Sequence, residues 1–315
     1  SVDAEVSQTK ERPVIDVTAH GAVGDGSTDD SAAINAALSE ASGGGIVYFP
    51  QTGAASSSTR TPADTEYRMG SDIDDIPGGV YLLGPGEETV ALVDYADQTR
   101  GPIVFSGDYA GIEGLYVDGR RDVTGYVGSN IVINATNVTV RRVKSVEGGY
   151  GNLEARAGTD EILIENCEFR DSHDNGLNAH VNIAGASPGS RRVRIVDCEI
   201  HGQAGLNKIG LTFDTAQDCT VRGCYFHNLG DHGIFFENSK TDDETGTTIT
   251  GCTFASDISG YSVINGPSDT IKANRLTDCT LRTKAILRDQ WLVDGNTVIG
   301  TELEIEDSSY GSRCA

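Results

Sequence analysis

Short alternations of apolar and polar residues run along most of this chain, and they recur as one repeated phrase. From residue 160 onward the phrase is an alternating apolar strand, a cysteine, an apolar residue two positions later, a polar turn, and then Gly with a second strand. Alternation with a period of two is typical of β-strands that bury one face. Because one such unit cannot bury its apolar face alone, the repeat predicts a solenoid of stacked coils. The phrases centre on Cys167, Cys198, Cys224 and Cys252.

The same phrase extends more weakly toward both ends of the chain. VTVRRVKS (139–146) with YGNLEAR (150–156) forms an earlier coil, in which Val143 takes the cysteine position. RLTDCTL (275–281) and WLVDGNTVIG (291–300) form later ones. The repeated cysteines fall on inward positions, so we predict a buried stack of thiols that serves core packing. An odd total of seven cysteines also excludes complete pairing within the chain.

The N-terminal segment departs from the repeat. Residues 29–41 (DDSAAINAALSEA) carry apolar residues at helical spacing, with Asp and Ser at the N-cap and three glycines after the last turn. IVYFP (46–50) then predicts the first strand of the solenoid. Since one short amphipathic helix is a natural cover for the open end of a solenoid, we predict an all-β parallel β-helix with a short N-terminal capping α-helix.

The pattern predicts one domain, a parallel β-helix that spans residues 14–315. Residues 1–13 are a polar, flexible lead-in, and residues 14–50 hold the N-terminal strand and capping helix. Residues 51–79 are rich in Ser, Thr, Asp and Gly, which predicts an inserted loop. Residues 80–315 form the coils.

The chain is strongly acidic, with a formal net charge of −23 at pH 7 and a pI of about 4.5. Such a surface repels phosphate and anionic lipid headgroups, which argues against a nucleic-acid partner. It also suits a halophilic protein, since salt screens the self-repulsion of an acidic surface. No apolar run reaches the roughly 18 residues that a membrane span needs, so we predict no membrane insertion.

The segment 14–50 contains a specific motif. Its core, from Gly21 to Asp30, reads Gly-Ala-x-Gly-Asp-Gly-x-x-Asp-Asp, and a helix, a triple glycine and a strand that ends at Pro50 follow it. This opening closely resembles that of pectate-lyase-superfamily proteins, and the coil repeats extend the resemblance over most of the chain. The resemblance implies a single-stranded, right-handed parallel β-helix. The family includes lyases and hydrolases of acidic polysaccharides, epimerases and viral tailspikes, so the fold alone does not give the reaction.

The acidic residues of this motif have a structural interpretation. We expect them to form a tight turn and the N-cap of the helix. A nucleotide-binding glycine loop is not expected, because no βαβ unit follows the motif.

Alignment of four coils on their Gly-apolar step places ionisable side chains in outward rows. Alternation turns Leu153, Leu177, Leu211 and Ile234 inward, so the residues between and after them point outward. The three predicted rows are Tyr150, Asp174, Lys208 and Asp231 in the turn (with His232 beside the last), then Glu154, Asn178, Thr212 and Phe235, and then Arg156, His180, Asp214 and Glu237.

A glycoside hydrolase is one chemistry that these rows allow. Asp214, Glu237 and Asp231 would supply its acid and base, because neighbouring like charges raise the pKa of one carboxyl group. By strand spacing, Asp174 and Asp231 are two coils apart, roughly 9.6 Å. That distance lies at the upper edge of the separation used in inverting hydrolysis.

The outward rows are also consistent with two other functions, a polyuronate lyase and a non-catalytic binder. In a lyase, Lys208 or His180 abstracts the proton α to the uronate carboxylate, and Arg156 stabilises the enolate that develops. In a binder, the same groups only hydrogen-bond sugar hydroxyls, while aromatic rings stack on the sugar. The predicted substrate-binding residues are Arg156, Tyr150, Asp174, Asn178, Phe235 and His232.

A metal site does not emerge from the spacing of Cys and His, which matches no zinc pattern. The resemblance implies calcium as a possible cofactor, held by carboxylates of neighbouring coils. Asp214, Glu237 and Asp231 would offer the oxygen ligands that calcium prefers. No cofactor is otherwise expected.

These features predict an extracellular, polysaccharide-active protein, a lyase or glycoside hydrolase that acts on an acidic polysaccharide in a groove along the β-helix. The alternative is a virion- or cell-surface spike or adhesin that binds a glycan receptor with little or no catalysis, for which a homotrimer is possible. A purely structural repeat protein is a third interpretation. The grouping of charges on one strand stack argues against it.

Overall fold

The computed structural model describes residues 12–53, 64–71, 73–95, 101–120, 128–172, 179–183, 189–202, 209–214, 216–237, 246–265, 274–288, 291–306 and 313–314. These residues form an all-β parallel solenoid built from three sheets, which we name A, B and C. From residue 103 onward the strands follow the repeating order C, A, B along the chain. The strands pair in parallel with the strand one coil away, as the repeat predicts.

The bounds of the described strands are as follows, in the order of their pairing from the N-terminal end. Sheet A contains Val14–Asp16, Ile46–Tyr48, Tyr81–Leu83, Gly111–Glu113, Thr139–Arg141, Leu163–Glu165, Arg194–Val196, Thr220–Arg222, Thr248–Thr250, Asn274–Thr277, Trp291–Asp294 and Arg313–Cys314. Sheet B contains Asp25–Asp29, Thr65–Met69, Val90–Asp94, Tyr116–Asp118, Lys144–Val146, Glu168–Arg170, Glu199–His201, Tyr225–His227, Thr253–Phe254, Thr280–Leu281 and Thr297–Val298. Sheet C contains Ile103–Phe105, Ile131–Ile133, Leu153–Ala155, Ala179–Ile183, Ile209–Asp214, Ile234–Glu237, Val263–Asn265, Ala285–Arg288 and Leu303–Glu306.

Each repeated phrase forms two strands, on sheets A and B, with a sharp corner between them. The corner residue adopts the left-handed conformation: φ is +53° at Asn166, +52° at Asp197 and +53° at Asp278. Asn and Asp tolerate this region better than other residues with a side chain, and Gly223 and Gly251 take the same place in two other coils. The corner turns the chain from one sheet to the next, immediately before the repeated cysteine.

The repeated cysteines line the solenoid interior, as predicted. Cys167, Cys198, Cys224 and Cys252 are at most 3% exposed, unpaired thiols, and Cys279 extends their stack by one coil. They belong to the main hydrophobic core, which runs the length of the solenoid. Among the described residues, no helix is long and apolar enough to cross a membrane.

An α-helix, Ser31–Ala41, follows a short 3-10 helix, Val17–His20, near the N-terminal end. It packs against the first two strands of sheet A and buries Ile34 and Leu38 in the main core. The N–H of Gly44, with φ at +97°, donates to the carbonyl oxygen of Ala41 at 2.8 Å, so the helix ends at the predicted glycines. Its role as a cap on the open end of the solenoid stays a prediction.

The acidic motif forms a tight turn, and its last two carboxylates, Asp29 and Asp30, accept hydrogen bonds from different parts of the backbone. Asp30 occupies the N-cap position, yet its side chain accepts the backbone N–H groups of Val23 at 2.7 Å and Gly24 at 3.2 Å. Asp29 instead accepts the N–H of Ser31 at 3.1 Å. The motif therefore ties the turn before the helix to the helix start.

The segment 51–79 is not a single inserted loop, which corrects the sequence prediction. Thr65–Met69 is a strand of sheet B, and its Tyr67 and Met69 are fully buried. The strand was not predicted because only two of its five residues are apolar, which is too short an alternation to recognise among polar neighbours. IVYFP is likewise not the first strand, since Val14–Asp16 and Asp25–Asp29 precede it.

Candidate functional site

The outward face of sheet C carries most of the predicted site residues that the structure describes. Glu154 pairs with Asn182, Asn182 with Thr212, and Thr212 with Phe235, so these four residues share one level of the sheet across four coils. The predicted row contained Asn178 in place of Asn182. The other three members are confirmed as neighbours.

One coil of the predicted alignment is displaced by four residues. Val181, rather than Leu177, pairs with Leu153 and Leu211. The prediction followed the Gly-Leu step in DNGLNAH, whereas strand pairing follows the burial of Val181 and Ile183 in the core.

His180 is the predicted residue that this displacement affects most. It directly precedes Val181 in its strand, so its backbone lies level with Gly210 rather than with Asp214. The predicted row of Arg156, His180, Asp214 and Glu237 is therefore wrong at His180. If His180 abstracts a proton, it does so from the level of Gly210 and not from that of Asp214.

Asp214 and Glu237 are paired across adjacent strands, as the alignment predicted. Parallel strands lie about 4.8 Å apart, so the two backbones hold these residues as direct neighbours. Asp214 is only 9% exposed. The side chain of Glu237 lies outside the described residues, and so do Asp174, Asn178, Lys208 and the side chain of His180.

An aromatic cluster lies beside the strands Ile234–Glu237 and Val263–Asn265 of this sheet. The rings of His232 and Phe235 have centroids 5.8 Å apart, and the rings of His232 and Tyr261, one coil further on, 5.4 Å apart. Asp231 completes the cluster, with its Oδ1 3.1 Å from Nδ1 of His232. The structure thus brings together Asp231, His232 and Phe235, three residues that the sequence singled out.

Two contacts compete for Nδ1 of His232. The backbone N–H of Tyr261 donates to Nδ1 at 3.2 Å, which in the neutral ring places the proton on Nε2, whereas Oδ1 of Asp231, 3.1 Å from the same nitrogen, favours the tautomer with the proton on Nδ1. Burial lowers the pKa of His232, and the nearby carboxylate of Asp231 opposes this shift only in part. A neutral imidazole is therefore the form favoured at neutral pH.

Arg156 and Tyr150 flank the strand Leu153–Ala155, which lies three strands from Ile234–Glu237 in the same sheet. Nε of Arg156 lies 3.2 Å from Oε1 of Glu154, and about half of the Arg156 side chain is exposed. Tyr150 is 37% exposed in the turn before its strand. Arg156 is thus accessible to an anionic ligand, in competition with its own glutamate.

A second polar stripe, on the outward face of sheet B, was missed by the sequence analysis. The rings of His201 and His227 stack with centroids 4.6 Å apart, and Tyr225 stacks on His227 at 4.4 Å. Nε2 of His201 lies 3.2 Å from Oε1 of Glu168, and Nε2 of His227 lies 2.8 Å from Oε1 of Glu199. The signal was present in the repeat, because both histidines stand three residues after a stacked cysteine.

Glu168 is the most heavily contacted carboxylate of this stripe. Its Oε2 lies 2.8 Å from Nζ of Lys144, and its Oε1 lies 3.2 Å from Nε of Arg170. Although burial opposes it, hydrogen bonds from His201 and Lys144 lower the pKa of Glu168 to about 2. The carboxylate is therefore ionised throughout the neutral range.

The parallel solenoid and its corner turns define a pectate-lyase-like β-helix protein. Residues 14–261 match the family model described as rhamnogalacturonase A/epimerase, pectate lyase-like. This chain belongs to that family.

Two curated relatives come from Azotobacter vinelandii. Mannuronan C5-epimerase AlgE1 is 35% identical over 182 residues, which cover 51% of this chain and 12% of the relative. Alginate lyase 7 is 36% identical over 183 residues, which cover 51% of this chain and 20% of the relative. The chain therefore spans only a small part of the length of these relatives.

Among solved structures, the N-terminal fragment of gene product 12 of bacteriophage Phi29 superimposes with a TM-score of 0.71 at 16% identity. The match covers 91% of this chain and 53% of that fragment. At this identity the likeness shows the shared fold and nothing about activity.

Proposed function

We propose that this protein acts on a polyuronate by removing the C5 proton of a uronate residue at the outward face of sheet C. The sequence relationship to proteins named mannuronan C5-epimerase and alginate lyase supports this class of reaction. Elimination and epimerisation at a uronate share the same first step, so one site chemistry accounts for both names. An extracellular location, where such polysaccharides occur, is part of the proposal.

The observation that carries the proposal is the contact cluster of Asp231, His232 and Phe235 beside the paired Asp214 and Glu237. The Phe235 ring offers an apolar platform for the C–H face of a sugar. In the tautomer whose Nδ1 accepts from Tyr261, neutral His232 offers an Nε2–H donor, which suits a sugar hydroxyl or carboxylate. Carboxylates of Asp231 and Asp214 can accept from hydroxyl groups on either side.

Arg156 is our candidate for recognition of the substrate carboxylate. Its guanidinium can form two parallel hydrogen bonds to a uronate, which would replace its contact with Glu154. Neutralisation of that carboxylate makes the C5 proton more acidic, because the negative charge that develops on the enolate is stabilised. Lys208 and His180 stay our candidates for the base that takes the proton.

After proton removal the reaction has two possible second steps, elimination and epimerisation. In elimination, the electron pair from the C5–H bond forms a C4–C5 double bond, the C4–O glycosidic bond breaks, and the leaving oxygen takes up a proton. In epimerisation, a proton returns to C5 from the opposite face and no bond of the chain breaks. Elimination therefore creates an unsaturated uronate, and epimerisation only inverts C5.

The test is incubation with alginate, pectate and a neutral glucan, in low and high salt. Elimination is followed by the ultraviolet absorbance of the unsaturated uronate, and epimerisation by exchange of the C5 proton with deuterium in NMR spectra. Phe235→Ala should weaken substrate binding, while Tyr109→Ala, at an exposed tyrosine outside this face, should not.

Two outcomes would contradict the proposal, and a third would extend it. Reducing ends without absorbance or exchange would indicate hydrolysis by Asp214, Glu237 and Asp231. Binding without turnover would indicate the spike or adhesin alternative. Loss of turnover on calcium removal, restored by calcium alone, would add a carboxylate-bound calcium to the proposal and leave its first step intact.

A further inference from the structure

The outward face of sheet B carries a cluster that the proposed reaction does not use. Glu199, His201 and His227 each place one potential ligand atom within 4.8 Å of the others. All three side chains belong to adjacent strands of the same sheet, Glu199–His201 and Tyr225–His227. We propose that Glu199, His201 and His227 bind one divalent transition-metal ion of the zinc class.

The spacing of the ligand atoms fits such an ion. With metal–ligand bonds of about 2.0–2.2 Å, two ligands of a tetrahedral zinc lie roughly 3.3 Å apart. Nε2 of His227 lies 2.8 Å from Oε1 of Glu199, so this pair needs to separate by only a few tenths of an ångström. The strands hold all three Cα atoms rigidly, since His201 and His227 are direct partners in the sheet.

The stacked rings of His201 and His227 are accessible to a metal ion from solvent, since both side chains are about one-fifth exposed. Their planes lie within 10° of each other, so the two rings face the same side of the cluster. Neutral imidazole is the form that binds metal.

The charges around the cluster favour a cation. Glu168 approaches Nε2 of His201 at 3.2 Å and offers a further oxygen or an outer-shell acceptor. Lys144 and Arg170 neutralise Glu168 in part. Among the described residues no Lys or Arg contacts Glu199, and its hydrogen-bond partner is His227. Glu199 therefore supplies the negative charge that a divalent ion needs.

The donor set selects the kind of metal. Two imidazoles and one carboxylate suit zinc, nickel or copper, whereas calcium and magnesium take oxygen ligands. The site is therefore distinct in chemistry from the calcium site that carboxylates of sheet C would form. Two or three protein ligands on an open face leave the remaining positions to water.

Calorimetric titration of the EDTA-treated, dialysed protein with Zn²⁺ tests the proposal. We expect one site that His201→Ala and His227→Ala each weaken at least tenfold and that excess calcium does not displace. His20→Ala is the matched control, because His20 also contacts a glutamate, Glu40 at 3.2 Å, but has no second imidazole beside it among the described residues. This variant should bind zinc as the parent protein does.

X-ray absorption of the zinc-loaded protein provides a readout that does not depend on variants. Two imidazole ligands at bonding distance are expected, and His227→Gln, which retains a planar polar side chain, should reduce them to one. Absence of stoichiometric binding, or binding that survives both histidine variants with folded far-ultraviolet spectra, would overturn the proposal. Polyuronate turnover by the same variants should stay unchanged, which keeps this test separate from that of sheet C.

Discussion

The backbone N–H of Tyr261 donates to Nδ1 of His232 at 3.2 Å and so ties the imidazole of one coil to the main chain of the next. Protonation of His232 would remove this acceptor and leave the Tyr261 amide without it. The only charged group that faces the ring among the described contacts is Asp231, at 3.1 Å. The hydrogen bond therefore couples the packing of two coils to the charge of one histidine.

Acid pH should destabilise the fold in part through His232. Its pKa in the folded state is below the ordinary value of 6.5, so the unfolded state binds the proton more readily. The stabilising contribution of neutral His232 is present above pH 6.5 and is lost as pH falls through the folded pKa. Urea unfolding at pH 7.5 and at more acidic pH should show a smaller loss for His232→Gln than for the parent. An equal loss would contradict this.

Asp30→Ala should destabilise the N-terminal turn strongly. It removes the acceptor for the N–H groups of Val23 and Gly24 in a site where Asp30 is only 1% exposed. Buried donors left without a partner cost about 1–3 kcal/mol each, so we expect a loss of about 3 kcal/mol in the free energy of unfolding.

Asp25→Ala is the control for this prediction, measured in the same urea titration. Asp25 also accepts two backbone N–H groups, from Ser27 and Thr28, but in an exposed turn where water can replace it. We expect a loss below about 1 kcal/mol. Equal losses for the two variants would show that burial of the Asp30 turn does not determine the loss in the free energy of unfolding.

The thiols should be inert in the native protein. Six cysteines, the five of the stack and Cys219, are buried, so a thiolate cannot form at the surface. At most one of the seven thiols should react with 5,5′-dithiobis(2-nitrobenzoate) before unfolding, and all seven after it. Fast reaction of two or more native thiols would show that the interior opens.

Polyuronate binding should respond to salt in an unusual direction. A net charge of −23 repels a polyanion over a long range, and salt screens this repulsion. Affinity should therefore rise from low to moderate ionic strength, while Arg156→Gln lowers it at every salt concentration. Fluorescence anisotropy of labelled alginate fragments measures both. A monotonic fall of affinity with salt would mean that local cationic contacts dominate.

The sequence pattern alone was sufficient to predict the solenoid, the buried cysteines and the inward or outward direction of most side chains. Alternation, repeat length and the Asn, Asp or Gly corners are local properties, and each is repeated often enough to be recognised. The pairing of Asp214 with Glu237 was predictable for the same reason, because both strands follow the same Gly-apolar step, at Gly210 and at Gly233.

The tertiary structure decided which coil positions meet. The chain between Arg170 and Val181 absorbs four more residues than the Gly-Leu step indicated, so His180 does not lie level with Asp214. A pattern of alternation does not show how many residues a loop contains. The register of this coil is fixed only when its strand buries one face against the neighbouring strands.

The contact of His201 with His227 was likewise determined partly by the sequence and partly by the tertiary structure. Their separation of 26 positions equals that of Cys198 and Cys224, so the sequence contained their alignment. Only the stacking of coils shows that two histidines and Glu199 converge, because outward side chains carry no hydrophobic signal. The sequence determined the repeat and the faces of its strands, and the packing of one coil on the next decided which polar groups share a site.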